Sequence, residues 1–568
     1  MSTFVQRIVL GLVGCSCTGD NAESDTDQTP SDTDTAVTPP DTDTDTLPDP
    51  EATLVQGAPT LCAPIGRTGD DWFERRAIPV APDSDAQLPL EPWVWGSGLV
   101  VADFDDDGLV DVFTSNELVP SFYRNAGNTL TDVSEAVFSG IDVELSSGGS
   151  AADYDGDGDL DLLITRYMRS NLLMRNDGAG AFTDVTALVN LPTEPRRSMS
   201  SAWADYDLDG DLDLYVGNYG FVDDTVPSEQ FLPGDADWFL RNEGGATFTD
   251  LSSLIPQPVH DGFAYAVGWI DLDDNGFPDL YTVNDFGVAY PNQVLWNEDG
   301  VLTLDAGNDA GLNGGWTGMG LDFADINNDG IPDLFMPIWN GLVLLEGTTT
   351  GLWVESGAAR TLSNDLGGRG QKVAWGGDFG DVDNDGDEDL LVQFGWVDVG
   401  SGKLFENPLN QPDALYLMDA TGSYEDRGVP LGVDDHGIGR GGVFADFNND
   451  GFLDIVKRDV RDGNIAYLSK CDANAWVRVH LHGASGDGNT KAIGAKVRAT
   501  AGGKVQTAWV RAGGLSLGSS GPPEVHFGFG AVDVLDRLEV TWPDGRVSVF
   551  ADVPTRANLD ITQLPAVP

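Results

Sequence analysis

One nine-residue pattern, Asp-x-Asp/Asn-x-Asp/Asn-Gly-x-x-Asp, returns seven times along the chain, starting at residues 103, 153, 205, 271, 325, 381 and 446. Self-similarity at a period of roughly 50 to 66 residues marks a propeller or array, because each copy is one unit that must stack on its neighbours to bury a core. Positions 1, 3, 5 and 9 are Asp103, Asp105, Asp107 and Asp111; Asp153, Asp155, Asp157 and Asp161; Asp205, Asp207, Asp209 and Asp213; and Asp271, Asp273, Asn275 and Asp279. In the last three copies they are Asp325, Asn327, Asp329 and Asp333; Asp381, Asp383, Asp385 and Asp389; and Asp446, Asn448, Asp450 and Asp454. Alternate residues of a tight loop can turn their oxygens inward, and the Gly at position 6 permits the reversal. Four gathered carboxylates repel one another without a cation. An all-oxygen, mostly anionic set suits Ca²⁺, whereas softer metals want Cys or His. The expected cofactor is Ca²⁺, about one per copy and up to seven.

An EF-hand shares the start of this loop but needs a bidentate Glu at position 12 and a helix on each side. Position 12 here is Thr114, Ile164, Val216, Thr282, Met336, Val392 and Lys457. A short apolar run comes directly after each loop and reads as a strand. The second copy parses as strand A over 148–152, the loop, strand B over 161–165, strand C over 171–175, an Asn-Asp-Gly turn at 176–178 and strand D over 181–185. Four short antiparallel strands, seven times over, predict an all-β chain: a seven-bladed β-propeller with calcium loops, followed by a small C-terminal β domain.

The ring must also close. After the seventh loop, strands B (453–457) and C (464–468) are followed by no strand D, while an orphan strand-like stretch lies at 72–78. That stretch is expected to supply the missing strand. Cys62 precedes it and Cys471 directly follows the last strand C, so a Cys62–Cys471 disulfide is expected if the chain is exported.

The first residues fit export. Arg7 and a short apolar run at 8–13, too short to span a bilayer, end in Leu-Val-Gly-Cys, which resembles a bacterial lipobox with Cys15 as the lipidated residue. Residues 16–58 are rich in Thr, Asp and Pro and are expected to form a disordered tether whose ends lie roughly 40 Å apart. The expected organisation is a signal and lipobox at 1–15, the tether at 16–58, the propeller at 59–471, the β domain at 472–555 and a tail at 556–568. The chain carries 30 Lys+Arg against 93 Asp+Glu, a net charge of −63, which argues against nucleic acid or an anionic membrane surface as partner.

Loops of this kind, flanked by such strands, resemble the FG-GAP or VCBS repeats of integrin-type propellers. Near the C-terminus, Asn-Thr-Lys-Ala-Ile-Gly-Ala at 489–495, Val-His-Phe-Gly-Phe-Gly at 525–530 and Val-Thr-Trp-Pro-Asp-Gly at 540–545 are similar to the strings of the ASPIC/UnbV domain. Together they resemble the cartilage acidic protein family and its bacterial relatives. The resemblance implies calcium-binding, extracellular, adhesion-like proteins and, for bacterial members, no settled activity.

In a four-stranded blade the A–B and C–D connections share one face, and B–C and D–A the other. The calcium loops are A–B braces, so a ligand is expected on the opposite face. Long B–C loops at 217–237 and 394–413 carry Tyr219, Phe221, Phe231 and Trp396, and 285–290 is also aromatic. The D–A connections hold Arg196, Arg197, His260, Arg369, Lys372, His436 and Arg440, expected near the mouth of the central channel, where they would hold an anionic group or else pair with neighbouring acids. His480, His482 and His526 form a weaker zinc candidate than a packed set. No P-loop or H-E-x-x-H occurs. The leading expectation is a non-enzymatic, calcium-braced binding or adhesion protein. It would be a monomer, lipid-anchored at the outer membrane or cell surface (alternatively periplasmic or secreted), with an extracellular protein or glycan partner. An extracellular polysaccharide lyase or hydrolase and a structural envelope component are the alternatives.

Overall fold

The computed structural model describes residues 52–57, 66–78, 97–116, 119–127, 129–221, 233–244, 247–257, 259–362, 372–395, 411–460, 463–484, 486 and 488–566. Cys15, Cys62, Arg369, Phe231 and Trp396 lie outside them.

Seven four-stranded antiparallel blades form the body. Blade 1 is Leu99–Ala102, Asp111–Thr114, Ser121–Asn125 and Leu130–Asp132, and blade 2 is Ser146–Ala152, Asp161–Arg169, Leu172–Asn176 and Phe182–Asp184. Blades 3 to 6 repeat the order, with inner strands Arg196–Ala204, Ala264–Ile270, Asp322–Ala324 and Ala374–Gly380. Each B strand begins at the position-9 Asp, so loop and strand are one continuous signal in the chain. Blade 7 has the order expected from the closure argument: Gly439–Ala445, Asp454–Asp459, Gly463–Ser469 and then Phe73–Ile78 from the N-terminal side. Phe73 pairs with Ser469 and Ile78 with Asn464. Cys471, just beyond, is disulfide-bonded, and Gly66 and Arg67 donate backbone N–H groups to its carbonyl at 2.9 and 3.1 Å.

The C-terminal domain is two four-stranded sheets packed face to face. One orders Ala52–Gly57, Ala557–Gln563, Ala475–His482 and Glu524–Gly530; the other orders Lys504–Trp509, Lys496–Ala501, Val534–Thr541 and Val547–Pro554. Two expectations are corrected here. Residues 52–57, placed in the disordered tether, form an edge strand, and 557–563, placed in the tail, form an inner strand. The reason is period-2 alternation: Ala557, Leu559 and Ile561 are wholly buried, and Leu54 packs against the same core.

Between those sheets the chain sends residues 512–521 into the centre of the propeller. Gly514 and Ser516 donate to the carbonyls of Ser201 and Leu321 (3.2 and 2.9 Å), and Ser520 donates to Leu99 (2.9 Å). In return Gly149 donates to the carbonyl of Gly518 (3.1 Å) and Val101 to that of Ser520 (2.9 Å). The plug thus bonds inner strands of blades 1, 2, 3 and 5. Only a channel lined by glycine admits it: a Cβ on Gly98 would lie 1.9 Å from the Gly518 carbonyl oxygen, and one on Gly148 2.4 Å from it. Leu517 at its tip is wholly buried with Tyr167, Met199, Tyr219, Phe263, Tyr265, Met319, Val373 and Trp375. The central channel is closed.

Candidate metal centres and the face opposite them

All seven loops have one backbone design. The position-1 carboxylate accepts the N–H of the position-6 glycine at 2.7–3.0 Å, from Gly108 on Asp103 through Gly451 on Asp446. Those glycines have φ between 83° and 103°, a conformation that a side chain would strain. Position 4 is left-handed too. It is occupied by Asp106, Gly156, Asp274, Asn328, Asn384 and Asn449, the residue types that tolerate it, and by Leu208. The Asp/Asn/Gly bias at position 4 was a legible signal that the nine-residue pattern left as "x".

Position 9 does two jobs. Asp161 accepts the N–H of Tyr154 at 3.0 Å and that of Asn176, at the end of strand C, at 2.7 Å. Asp213, Asp279, Asp333, Asp389 and Asp454 repeat the pair. These buried carboxylates pin strand C to the loop, and burial pushes the pKa of Asp333 up to about 8.

Carboxylate oxygens converge within 4.8 Å in five loops: Asp103, Asp105 and Asp107; Asp153, Asp155 and Asp161; Asp205, Asp207 and Asp213; Asp271, Asp273 and Asp279; and Asp381, Asp383 and Asp385. Position 9 joins the gathered set in loops 2 to 4. In loops 1 and 6 position 5 joins the set in place of position 9, although Asp111 and Asp389 hold strand C as the other position-9 residues do. The fifth and seventh loops carry Asn327 and Asn448 at position 3, so they gather fewer charges. In four loops the position-3 Asp (Asp105, Asp155, Asp207 and Asp383) keeps a buried Oδ1 with no hydrogen-bond partner. A buried anionic oxygen without a partner is costly, and a hard cation at the centre of each set would satisfy it. The residues fit Ca²⁺ there. Without an ion, burial, with the neighbouring Asp209 and Asp207, pushes the pKa of Asp205 up to about 7.

The C-terminal domain sits on this same face. Thr490 donates to Asp153 and Lys496 pairs with Asp274. Lys504 reaches Asp387 at 2.7 Å and the Gly386 carbonyl at 2.6 Å, while Arg511, at the root of the plug, bonds buried Asp322 at 2.7 Å.

Of the seven residues expected at an anion site near the channel mouth, those whose side chains are described do not converge on an open pocket. Arg440 is wholly buried, its guanidinium 4.0 Å from the Trp375 ring centroid, and burial lowers its pKa to about 9. Arg196 stacks on Trp238 and donates to the Ala236 carbonyl (2.5 Å), and Arg197 holds Asp235 at 2.8 and 2.9 Å. Lys372 lies over Phe394, and His436 lies 3.4 Å from Asp434. His260 lies in the short turn Val259–Asp261. Pairing with local partners prevails because the plug has filled the space the cations would have faced. Tyr219, expected exposed, is buried and donates to Asp285 at 2.7 Å. Phe221 beside it is 62% exposed. The zinc candidate is not assembled either: His480 pairs with Glu524 at 2.8 Å, whereas His526 turns to the Gly451 carbonyl at 3.1 Å.

Comparison with known proteins agrees with this division. The FG-GAP-like repeat matches residues 103–164, 153–216 and 271–336, and the ASPIC and UnbV domain matches 485–567. Cartilage acidic protein 1 of Mus musculus is 24% identical over 516 residues, covering 82% of this chain and 72% of that protein. The Xenopus tropicalis protein of the same name is 25% identical over 234 residues, 40% of this chain and 34% of that one, so the match spans about a third of its length. Among solved structures, an Agrocybe aegerita lectin described with non-reducing terminal N-acetylglucosamine has a TM-score of 0.40 at 16% identity, covering 66% of this chain and 94% of that one. The chain is an FG-GAP-repeat propeller with a C-terminal ASPIC/UnbV domain, and its sequence is distantly similar to cartilage acidic protein 1.

Proposed function

We propose that this chain is a calcium-binding, non-enzymatic binding or adhesion protein that meets its partner with the face opposite the calcium loops. One observation carries the reading: the C-terminal domain covers the calcium-loop face and its plug fills the channel. The B–C face is what remains, and there Val119, Phe221 and Val288 in the connections and Met168 at the end of a B strand are exposed on four successive blades. Isolated apolar tips on a rigid ring, with Arg197 5.9 Å from the Phe221 ring, suit a protein or glycan surface. The loop acids hold backbone N–H groups, as Asp161 and Asp205 do, which supports a bracing role for them rather than turnover. Export and a lipid anchor at Cys15 belong to the same proposal, and the disulfide at Cys471 supports an oxidising compartment. A glycan and extracellular-protein array, probed with calcium-loaded protein and with Phe221→Ala, tests it. Binding that Phe221→Ala weakens is expected, with no product formed. Turnover of any glycan, or binding indifferent to Phe221 and Val288, would overturn it.

A further inference from the structure

We infer that the seventh loop holds no calcium, because Arg478 of the C-terminal domain is its permanent cation. The inference rests on the calcium reading of the other loops. Loop 7 is properly built: Gly451 donates to Asp446 Oδ2 at 2.8 Å and Asp450 to Asp446 Oδ1 at 3.1 Å. What differs is what stands over it. Arg478, only 2% exposed, brings Nη1 to 3.4 Å from Asp446 Oδ2 and also donates to Asn449. Glu524 holds the same guanidinium from behind, its Oε1 2.8 Å from Nε, and His526 closes the flank through the Gly451 carbonyl. A guanidinium cannot shed its proton. A calcium ion on Asp446 would therefore face a fixed positive charge at a wholly buried carboxylate, with one carboxylate fewer than most loops because position 3 is Asn448.

The other loops supply the contrast. Arg124 also reaches a loop, at 3.1 Å from Asp105 and 2.7 Å from Asp111, but it does not pair with Asp103, and Asp103, Asp105 and Asp107 stay gathered. Loop 5 shares an Asn at position 3, yet the C-terminal domain brings it the buried Thr507 hydroxyl, a neutral oxygen beside Asp325. Loop 7 alone among the described loops receives a buried arginine on its first Asp. It lies in the blade that closes the ring, so this contact docks the C-terminal domain to the closure without metal.

The test counts bound Ca²⁺ per chain, by equilibrium dialysis and atomic absorption, on the full chain stripped with chelator and reloaded with Ca²⁺. Paired substitutions Asp205→Asn with Asp209→Asn in loop 3 should remove one ion. The matching pair Asp446→Asn with Asp450→Asn in loop 7 should remove none. Because loss of Asp446 can unseat Arg478, the count is repeated with Asp450→Asn alone, which leaves that contact in place. Loss of one ion from either loop-7 variant overturns the inference. A wild-type chain that binds no calcium overturns instead the reading on which it rests, and the inference with it.

Discussion

The side-chain amide of Asn176 donates to the backbone carbonyl of Phe104, 2.8 Å away and one blade upstream. The same amide reaches Leu160 in its own loop at 3.1 Å. Asn242 and Asn297 repeat the link to Tyr154 and Tyr206, and Asn125 carries it across the ring closure to Phe447. Where blade 7 has Ser469 instead of Asn, Arg67 from the N-terminal segment makes the link, to Val382 at 2.8 Å. Neighbouring blades are thus stapled at position 2 of five of the seven aspartate loops.

Replacing Asn176 with Ala leaves two buried carbonyls unpaired, and the expected loss is about 1–3 kcal/mol of stability in calcium-loaded protein. Denaturant unfolding measures it. A change within error would show that the staple is energetically idle.

Chelation should lower the melting temperature, because a ligand bound only to the native state stabilises it. The size of the drop should depend on pH. Burial, with Asp209 and Asp207 beside it, pushes the pKa of Asp205 up to about 7, so in metal-free protein the folded state holds a proton that the unfolded chain releases near pH 4. That contribution is complete below about pH 4 and is lost as pH rises through 7, where calcium takes the place of the proton. The chelator-induced drop should therefore be larger at about pH 8 than at about pH 5. Equal drops would contradict this coupling.

Leu517→Ala removes the plug's wholly buried tip from its aromatic socket. The expected cost is about 2–5 kcal/mol. Proteolytic nicking within 512–521 should rise in parallel, and resistance equal to wild type would mean that the plug is held by its backbone bonds alone.

Glu524 behaves oppositely to the loop acids. Burial works to raise its pKa, but Arg478 and His480 beside it hold it down at about 2. A depressed carboxylate stabilises above its unfolded pKa, about 4.3, and loses that contribution as pH falls toward about 2. Glu524→Gln should therefore be less stable than wild type at about pH 7 by on the order of 3 kcal/mol, with the gap closing by about pH 2. A gap independent of pH would assign the loss to packing.

Each feature was legible in the chain to the extent that its cause is local. The blades, the loops and the closing strand at Phe73–Ile78 could be read from the residues alone, because they rest on period-2 alternation, glycine where φ must be positive, and a donor set confined to nine residues. The C-terminal strings were placed by their resemblance to the ASPIC/UnbV domain, which matches residues 485–567. Which carboxylates gather is a matter of three-dimensional packing, since position 9 joins the cluster in loops 2 to 4 and position 5 does so in loops 1 and 6, although position 9 holds strand C in all of them. Packing likewise draws Ala52–Gly57 out of an otherwise polar stretch to pair with Ala557–Gln563. The plug is the clearest case. Residues 512–521 are small and nearly featureless in sequence, and their meaning lies in partners hundreds of positions away, Leu321 and Leu99 among them. The local pairing of the arginines near the channel mouth has the same origin: what fills the channel comes from the far end of the chain, and no local pattern records it.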